Sequence, residues 1–371
     1  MADAPAEERK ENYFLRTFCV LIIFSIVFVH YEPCYQLFGM NAHDFFEGIG
    51  RFAMPMFFMI SGYFLYSADG HSERNLKKKT ARILILLVIM KALYFVLDLI
   101  YYGAGIITAD ELVEGLIVMN WANKNIWFVV FLFAVYVLHW ILYTYHKDFK
   151  YSMMFGIFCF ATLLFTADIC AWAGIEDIAG VSTYNIGQVF YCFEGFFFFP
   201  LGYYLHKHKD VTDGWSTGTL AALAIIGAVM SVWEVLNFEP LTGVPYSSLY
   251  LGSTIVAVPL FILTFRIPED RLRCRPLEYM GRNMLPWMYA FYMAIMFFFK
   301  FVVMPGIDAP DEIKDGVGII ASAIIDIILS YLMYKFMTRL FGNIVTRSPD
   351  FKPRRCRSPA DVPNIPGLHQ L

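Results

Sequence analysis

The side chains able to do chemistry in this 371-residue chain gather in a few places. His30, Glu32, Asp44, Glu47 and Arg51 fall within one short stretch. Neutral imidazole, with an unperturbed pKa near about 6.5, is suited to taking a proton from a hydroxyl near neutral pH. A carboxylate beside it can fix its tautomer, and Glu32, Asp44 and Glu47 are equal candidates. Arg51 can bind an anionic or polar group or stabilise developing negative charge. Simpler readings stand beside these: His30 fits an interfacial position without chemistry, and Glu47 and Arg51, spaced i, i+4, can merely pair with each other.

A second group is basic. LKKKTARIL carries Lys77, Lys78, Lys79 and Arg82, and Arg16 lies near the same level if the first and third apolar runs are neighbours. Such a cluster suits a phosphate-bearing ligand, but any inner loop of a membrane protein is rich in Lys. Lys91 stands apart, mid-run with no loop reason to exist, and it can snorkel, pair with Asp98 or line a ligand tunnel. Glu194 and Asp326 are also near mid-run and are cavity-lining candidates. His139, Asp168, Glu234 and Lys300 fall closer to run ends, where interfacial placement is the cheaper account. The aromatic run at 196–199 reads as core or lipid-facing packing.

The elements that must position these residues follow from composition. The chain is 58% hydrophobic and 16% charged, which excludes an ordinary soluble domain. Its net charge of -3 gives no basic surface for a nucleic-acid partner. Neither a disulfide framework nor a metal site follows from the seven cysteines, several of which sit inside apolar runs. On the ruler of about 20 apolar residues per crossing, ten runs emerge, near 14–32, 46–67, 81–102, 125–144, 151–173, 186–206, 215–237, 247–266, 284–304 and 317–341. The expected fold is therefore an all-α, polytopic integral membrane protein with about ten transmembrane helices. Most of the 29 Lys and Arg residues fall in alternate loops, which predicts both termini on the cytoplasmic side. One membrane domain is expected over 1–341. The Pro-rich, basic segment 342–371 reads as a disordered cytoplasmic tail near lipid headgroups.

The second run, RFAMPMFFMISGYFLY from Arg51 to Tyr66, resembles the second-helix signature of the acyltransferase 3 family of membrane enzymes. LKKKTARIL, IWFVVFLFAVYVL and FFFFPLGYYL are similar to further segments of that family. The resemblance implies acyl transfer from a cytoplasmic thioester donor, acyl-CoA such as acetyl-CoA, to a hydroxyl of a sugar, glycan or other cell-envelope acceptor. It also implies a prokaryotic inner membrane, no metal and no tightly bound cofactor. Arg16 and His30 match the family's first-helix Arg and His, separated here by about three residues more than is usual, or roughly one helical turn. His30 is then the candidate base, Arg16 and Arg51 complete the catalytic set, and Lys79, Arg82 and Lys91 are the candidate donor-binding residues. Two rivals remain at this stage. One is a transporter or flippase for a lipid-linked sugar, for which ten spans with buried charges would also serve. The other is a membrane sensor that keeps the fold without the catalysis.

Overall fold

The computed structural model describes residues 13–33, 35–37, 39–67, 72–117, 126–175, 177–182, 193–242, 251–267 and 274–341. The predicted tail, Lys124 and residues 186–192 of the sixth run lie outside the described residues. Apart from two small antiparallel hairpins, at Gln36–Asn41 and Asp177–Ser182, the described chain is helix joined by short connections. In chain order the main helices are α1 (Tyr13–Tyr31), α2 (Ala42–Gly50), α3 (Ala53–Tyr63), α4 (Ser72–Gly103), α5 (Ala109–Ile117), α6 (Trp127–His146) and α7 (Lys150–Leu163). They continue with α8 (Glu194–Lys207), α9 (Thr217–Thr242), α10 (Leu251–Arg266), α11 (Arg275–Asn283), α12 (Leu285–Phe298) and α13 (Asp311–Phe341).

Among the described residues six helices are long and apolar enough to cross a membrane: Phe14–Tyr31, Ser72–Gly103, Trp127–His146, Thr217–Asn237, Leu285–Gly306 and Asp311–Leu340. Two shorter apolar helices, Lys150–Thr166 and Leu251–Arg266, accompany them. The second predicted run is divided. α2 begins at an Asn41 cap, whose Oδ1 accepts from the His43 amide at 2.9 Å, and ends at Gly50, so that α3 restarts only at Ala53. Pro55 falls in the first turn of α3, where its missing N–H leaves no intrahelical bond unmade.

The polarity of the bundle is that of a protein in lipid. Large apolar side chains such as Val88, Val96, Ile225, Val229, Ile320 and Leu332 face outward, whereas Arg16, Asp98, His139, Glu194 and Asp326 are buried. Helix α4 shows how the sequence achieves this: Leu76, Lys79, Thr80, Met90, Tyr94 and Asp98 recur at helical spacing and form its inward face. At the crossing of α3 and α8 the two backbones touch. A Cβ on Gly62 would lie 1.8 Å from the Phe199 carbonyl oxygen, and one on Gly202 would lie 2.0 Å from that of Met59. Small residues at such a crossing allow the close packing that drives helix association where there is no hydrophobic force between helices. The FFFF run lies in α8; Phe196, Phe198 and Phe199 are buried, so it is core packing.

Candidate functional site

An apolar cavity of about 130 Å³ opens between α1, α3, α4, α6 and α12. Its walls are Cys19 and Ile23 of α1, Phe57, Ile60 and Ser61 of α3, Ile83 and Leu86 of α4, Phe128, Val129 and Leu132 of α6, and Leu285, Pro286 and Tyr289 of α12. Two of the predicted catalytic residues bracket it on a single helix. Arg16 is fully buried one turn before Cys19, and its Nη1 lies 3.7 Å from Oε1 of Glu278 on α11. His30 is half-buried two turns after Ile23, with its ring centroid 6.0 Å from that of Tyr292 on α12. Fourteen steps of about 1.5 Å put the two about 21 Å apart along α1.

Beyond His30 the helix bundle supplies a buried acid. Asp326 on α13 is 1% exposed and accepts from Ser330 Oγ at 3.3 Å, while its other oxygen has no hydrogen-bond partner among the described residues. Asp326 lies within electrostatic reach of the Tyr292 hydroxyl, and the Tyr292 ring in turn lies beside His30, so the three residues bring α1, α12 and α13 together. Two of the three carboxylates expected to orient His30, Glu32 and Glu47, have other partners. Lys300 Nζ donates to Glu32 Oε2 at 2.9 Å and to the Tyr31 carbonyl at 2.8 Å, a bridge that ties the end of α1 to the segment after α12. Glu47 pairs with Arg51 one turn on and lies 3.4 Å from His43 Nε2. His43 Nδ1 in turn bonds the Val29 carbonyl at 3.1 Å, next to His30 in the chain.

Arg51 therefore forms the i, i+4 pair that its spacing allowed, and it also lies within electrostatic reach of Glu194 at the start of α8. Glu194 is 1% exposed, and its Oε1 has no hydrogen-bond partner among the described residues. The outer end of the site thus holds one guanidinium between two carboxylates and a histidine.

At the inner end, Lys79 is buried and Arg82 half-buried, whereas Lys77 and Lys78 are exposed. Lys79 and Arg82 precede Ile83 and Leu86 at one-turn intervals, so they lie on the face of α4 that walls the cavity. Lys77 instead lies over the Trp140 ring, 6.0 Å from its centroid. Lys91 is not among the cavity-lining residues. It donates to the Gly115 carbonyl at 3.0 Å and is within electrostatic reach of Asp98, so it holds α5 against α4.

Three residues expected at interfaces are in the interior. His139 is fully buried and stacks on Phe199 with centroids 5.0 Å apart, and Asp168 is buried in the π-helical turn that follows α7. Glu234 is buried and accepts from the Gly252 amide at 2.9 Å, which satisfies an unpaired donor at the start of α10. Sequence reasoning also passed over Glu278, Tyr292 and Tyr94. Only the helical spacing of Tyr289 and Tyr292 in α12 carries a signal for the aromatic wall, and nothing local marks Glu278 as the partner of Arg16.

A buried cation and a histidine thus flank, on one helix, the segment that walls an apolar cavity inside a helical membrane protein. No curated protein and no solved structure matches the chain. A family model described as an acyltransferase domain matches residues 13–335, nearly the whole described chain. This integral membrane protein accordingly belongs to the acyltransferase 3 family.

Proposed function

We propose that the protein moves an acetyl or other short acyl group from acyl-CoA to a hydroxyl of a sugar, glycan or other cell-envelope acceptor. The observation that carries this reading is the placement of Arg16 and His30 on α1, on either side of the Cys19–Ile23 segment that walls an apolar cavity. Its volume and lining suit a short acyl chain with the slender end of its carrier, and Lys79, Arg82 and Arg16 supply cations for the carrier's phosphates. The acceptor approaches from the opposite side, where Arg51 and its carboxylates offer hydrogen-bonding partners to a hydroxylated molecule.

In this scheme His30 takes the acceptor hydroxyl proton as its oxygen attacks the thioester carbon. The new C–O bond forms, the C–S bond breaks, and the CoA thiolate leaves and takes up a proton. Tyr292 and Asp326 hold the imidazole and offset the positive charge it gains. An acyl group held briefly on His30 uses the same residues. The reading includes ten crossings with both termini cytoplasmic, in a prokaryotic inner membrane, with one domain over 1–341 and a cytoplasmic tail. The divided second run and the fourteen-residue α8 then count as crossings whose backbone breaks are satisfied inside the bundle.

Acetyl-CoA binding to the detergent-purified protein, with CoA release followed in the wild type and in His30→Ala, tests the proposal. Binding with His30-dependent release is expected. A folded wild type that binds no acetyl-CoA would overturn the reading in favour of a transporter. Full release by His30→Ala would remove His30 from the mechanism.

A further inference from the structure

A buried cation points where its counter-ion allows, so the surroundings of Arg16 decide what it can do. Arg16 is 0% exposed on α1, and its guanidinium meets the Glu278 carboxylate at 3.7 Å. Glu278 belongs to α11, a nine-residue helix that begins after the loop following α10. The same helix touches α1 a second time at the same level. A Cβ on Gly281, one turn beyond Glu278, would lie 2.3 Å from the Arg16 carbonyl oxygen. Side chain and backbone of α11 therefore both seat against Arg16, which fixes their register.

The chain then passes through Met284 into α12, whose first residues Leu285 and Pro286 wall the cavity together with Tyr289. One continuous segment thus sets both the counter-ion of Arg16 and one wall of the cavity above it. At 3.7 Å the carboxylate acts on the guanidinium by charge, which sets the direction in which it points.

We propose that Glu278 is a positioning residue that holds the Arg16 guanidinium at the inner end of the cavity, ready for the anionic part of the acyl donor. The inference rests on the donor reading above. It sets a sign that a simple charge argument would reverse: a carboxylate near a phosphate-bearing ligand should repel it, so loss of a merely screening Glu278 would tighten binding. Loss of a positioning Glu278 weakens it.

The test uses the full-length protein in detergent with acetyl-CoA as the probe. Affinity is measured, together with KM and kcat for CoA release, in the wild type, E278Q, E278D, R16A and the double variant E278Q/R16A. E278Q is expected to weaken acetyl-CoA binding by about tenfold and to raise KM accordingly, with kcat changed far less. E278D restores part of the loss, and the double variant binds no worse than R16A alone, because Glu278 acts through Arg16. Should E278Q fail to fold, the reversed pair R16E/E278R keeps an ion pair between the helices. It is expected to recover folding yet lose acetyl-CoA binding. Unchanged or tighter binding in E278Q, additive losses in the double variant, or full binding by the reversed pair would each overturn the positioning role alone. A folded wild type without acetyl-CoA binding overturns the donor reading and this role together.

Discussion

The hydroxyl of Tyr94 donates to the carbonyl of Ala290 at 2.6 Å, a buried bond between residues 196 positions apart that joins α4 to α12. Tyr94 is two turns beyond Leu86, and Ala290 follows Tyr289, so the bond ties together two helices that wall the cavity. Tyr94→Phe should lower stability by about 1 kcal/mol, the usual worth of one internal hydrogen bond. Thermal unfolding in detergent measures this, and an unchanged midpoint would show that the bond holds nothing together.

The α3–α8 crossing should be far less tolerant. Gly62→Ala places a methyl group against the Phe199 carbonyl, and the backbones must separate at a cost of about 1–3 kcal/mol or more. Gly103→Ala is the control, because a Cβ there meets nothing within 4 Å. A large fall in unfolding temperature for the first and little for the second is the expected pair of results.

Acyl-chain selectivity should follow the cavity walls. Ile23→Ala removes part of one wall, so the ratio of butyryl-CoA to acetyl-CoA turnover should rise by about fourfold for each methylene newly buried, at about 0.8 kcal/mol each. Ile23→Phe fills the space and should slow both donors. A ratio that does not move in either variant would place the acyl group elsewhere.

Asp326→Asn tests the acid behind Tyr292. Turnover should fall by at least about tenfold, part of the roughly 10²–10⁴-fold that a general base contributes, while the unfolding temperature holds or rises because a buried carboxylate is replaced by a neutral group. Rates of CoA release and thermal unfolding report the two effects separately. Wild-type turnover in this variant would leave Asp326 with a structural role only.

The start of α5 carries a pH dependence outside the crossings. Thr108 and Glu111 form a reciprocal cap, with the Thr108 amide and hydroxyl donating to Glu111 Oε2 at 2.7 and 3.0 Å and the Glu111 amide donating to Thr108 Oγ1 at 3.2 Å. Those bonds hold the Glu111 carboxyl below the usual carboxylate range. The resulting support for the helix is present above the unfolded-state value and is lost as pH falls through the depressed folded value. Hydrogen exchange over residues 109–117 should quicken toward acid pH, corrected for intrinsic rates, and Glu111→Gln, which removes the titrating group, should abolish that dependence.

Much of this protein is written in its local sequence. An apolar composition with few charges requires a helical membrane protein, because lipid leaves no other way to satisfy a long apolar backbone. The spacing of Arg16 and His30 on one unbroken apolar run places them on a common helix, and RFAMPMFFMISGYFLY marks the family to which the chain belongs. The i, i+4 pairing of Glu47 with Arg51 is equally local. Other relationships are set by helix contacts between distant segments. Which carboxylate meets Arg16 depends on α11 docking against α1, and no periodicity within either segment encodes that. Lys91 has an isolated mid-run position in the sequence, but its partner, the Gly115 carbonyl, becomes available only when α5 folds back on α4. The Tyr292–Asp326 approach to His30 and the cavity itself arise from the crossing angles of several helices, which small residues and side-chain fit determine collectively. Local pattern specifies the elements and the residues they carry, whereas tertiary packing alone decides which charges meet, since burial forces each of them to find its partner in space.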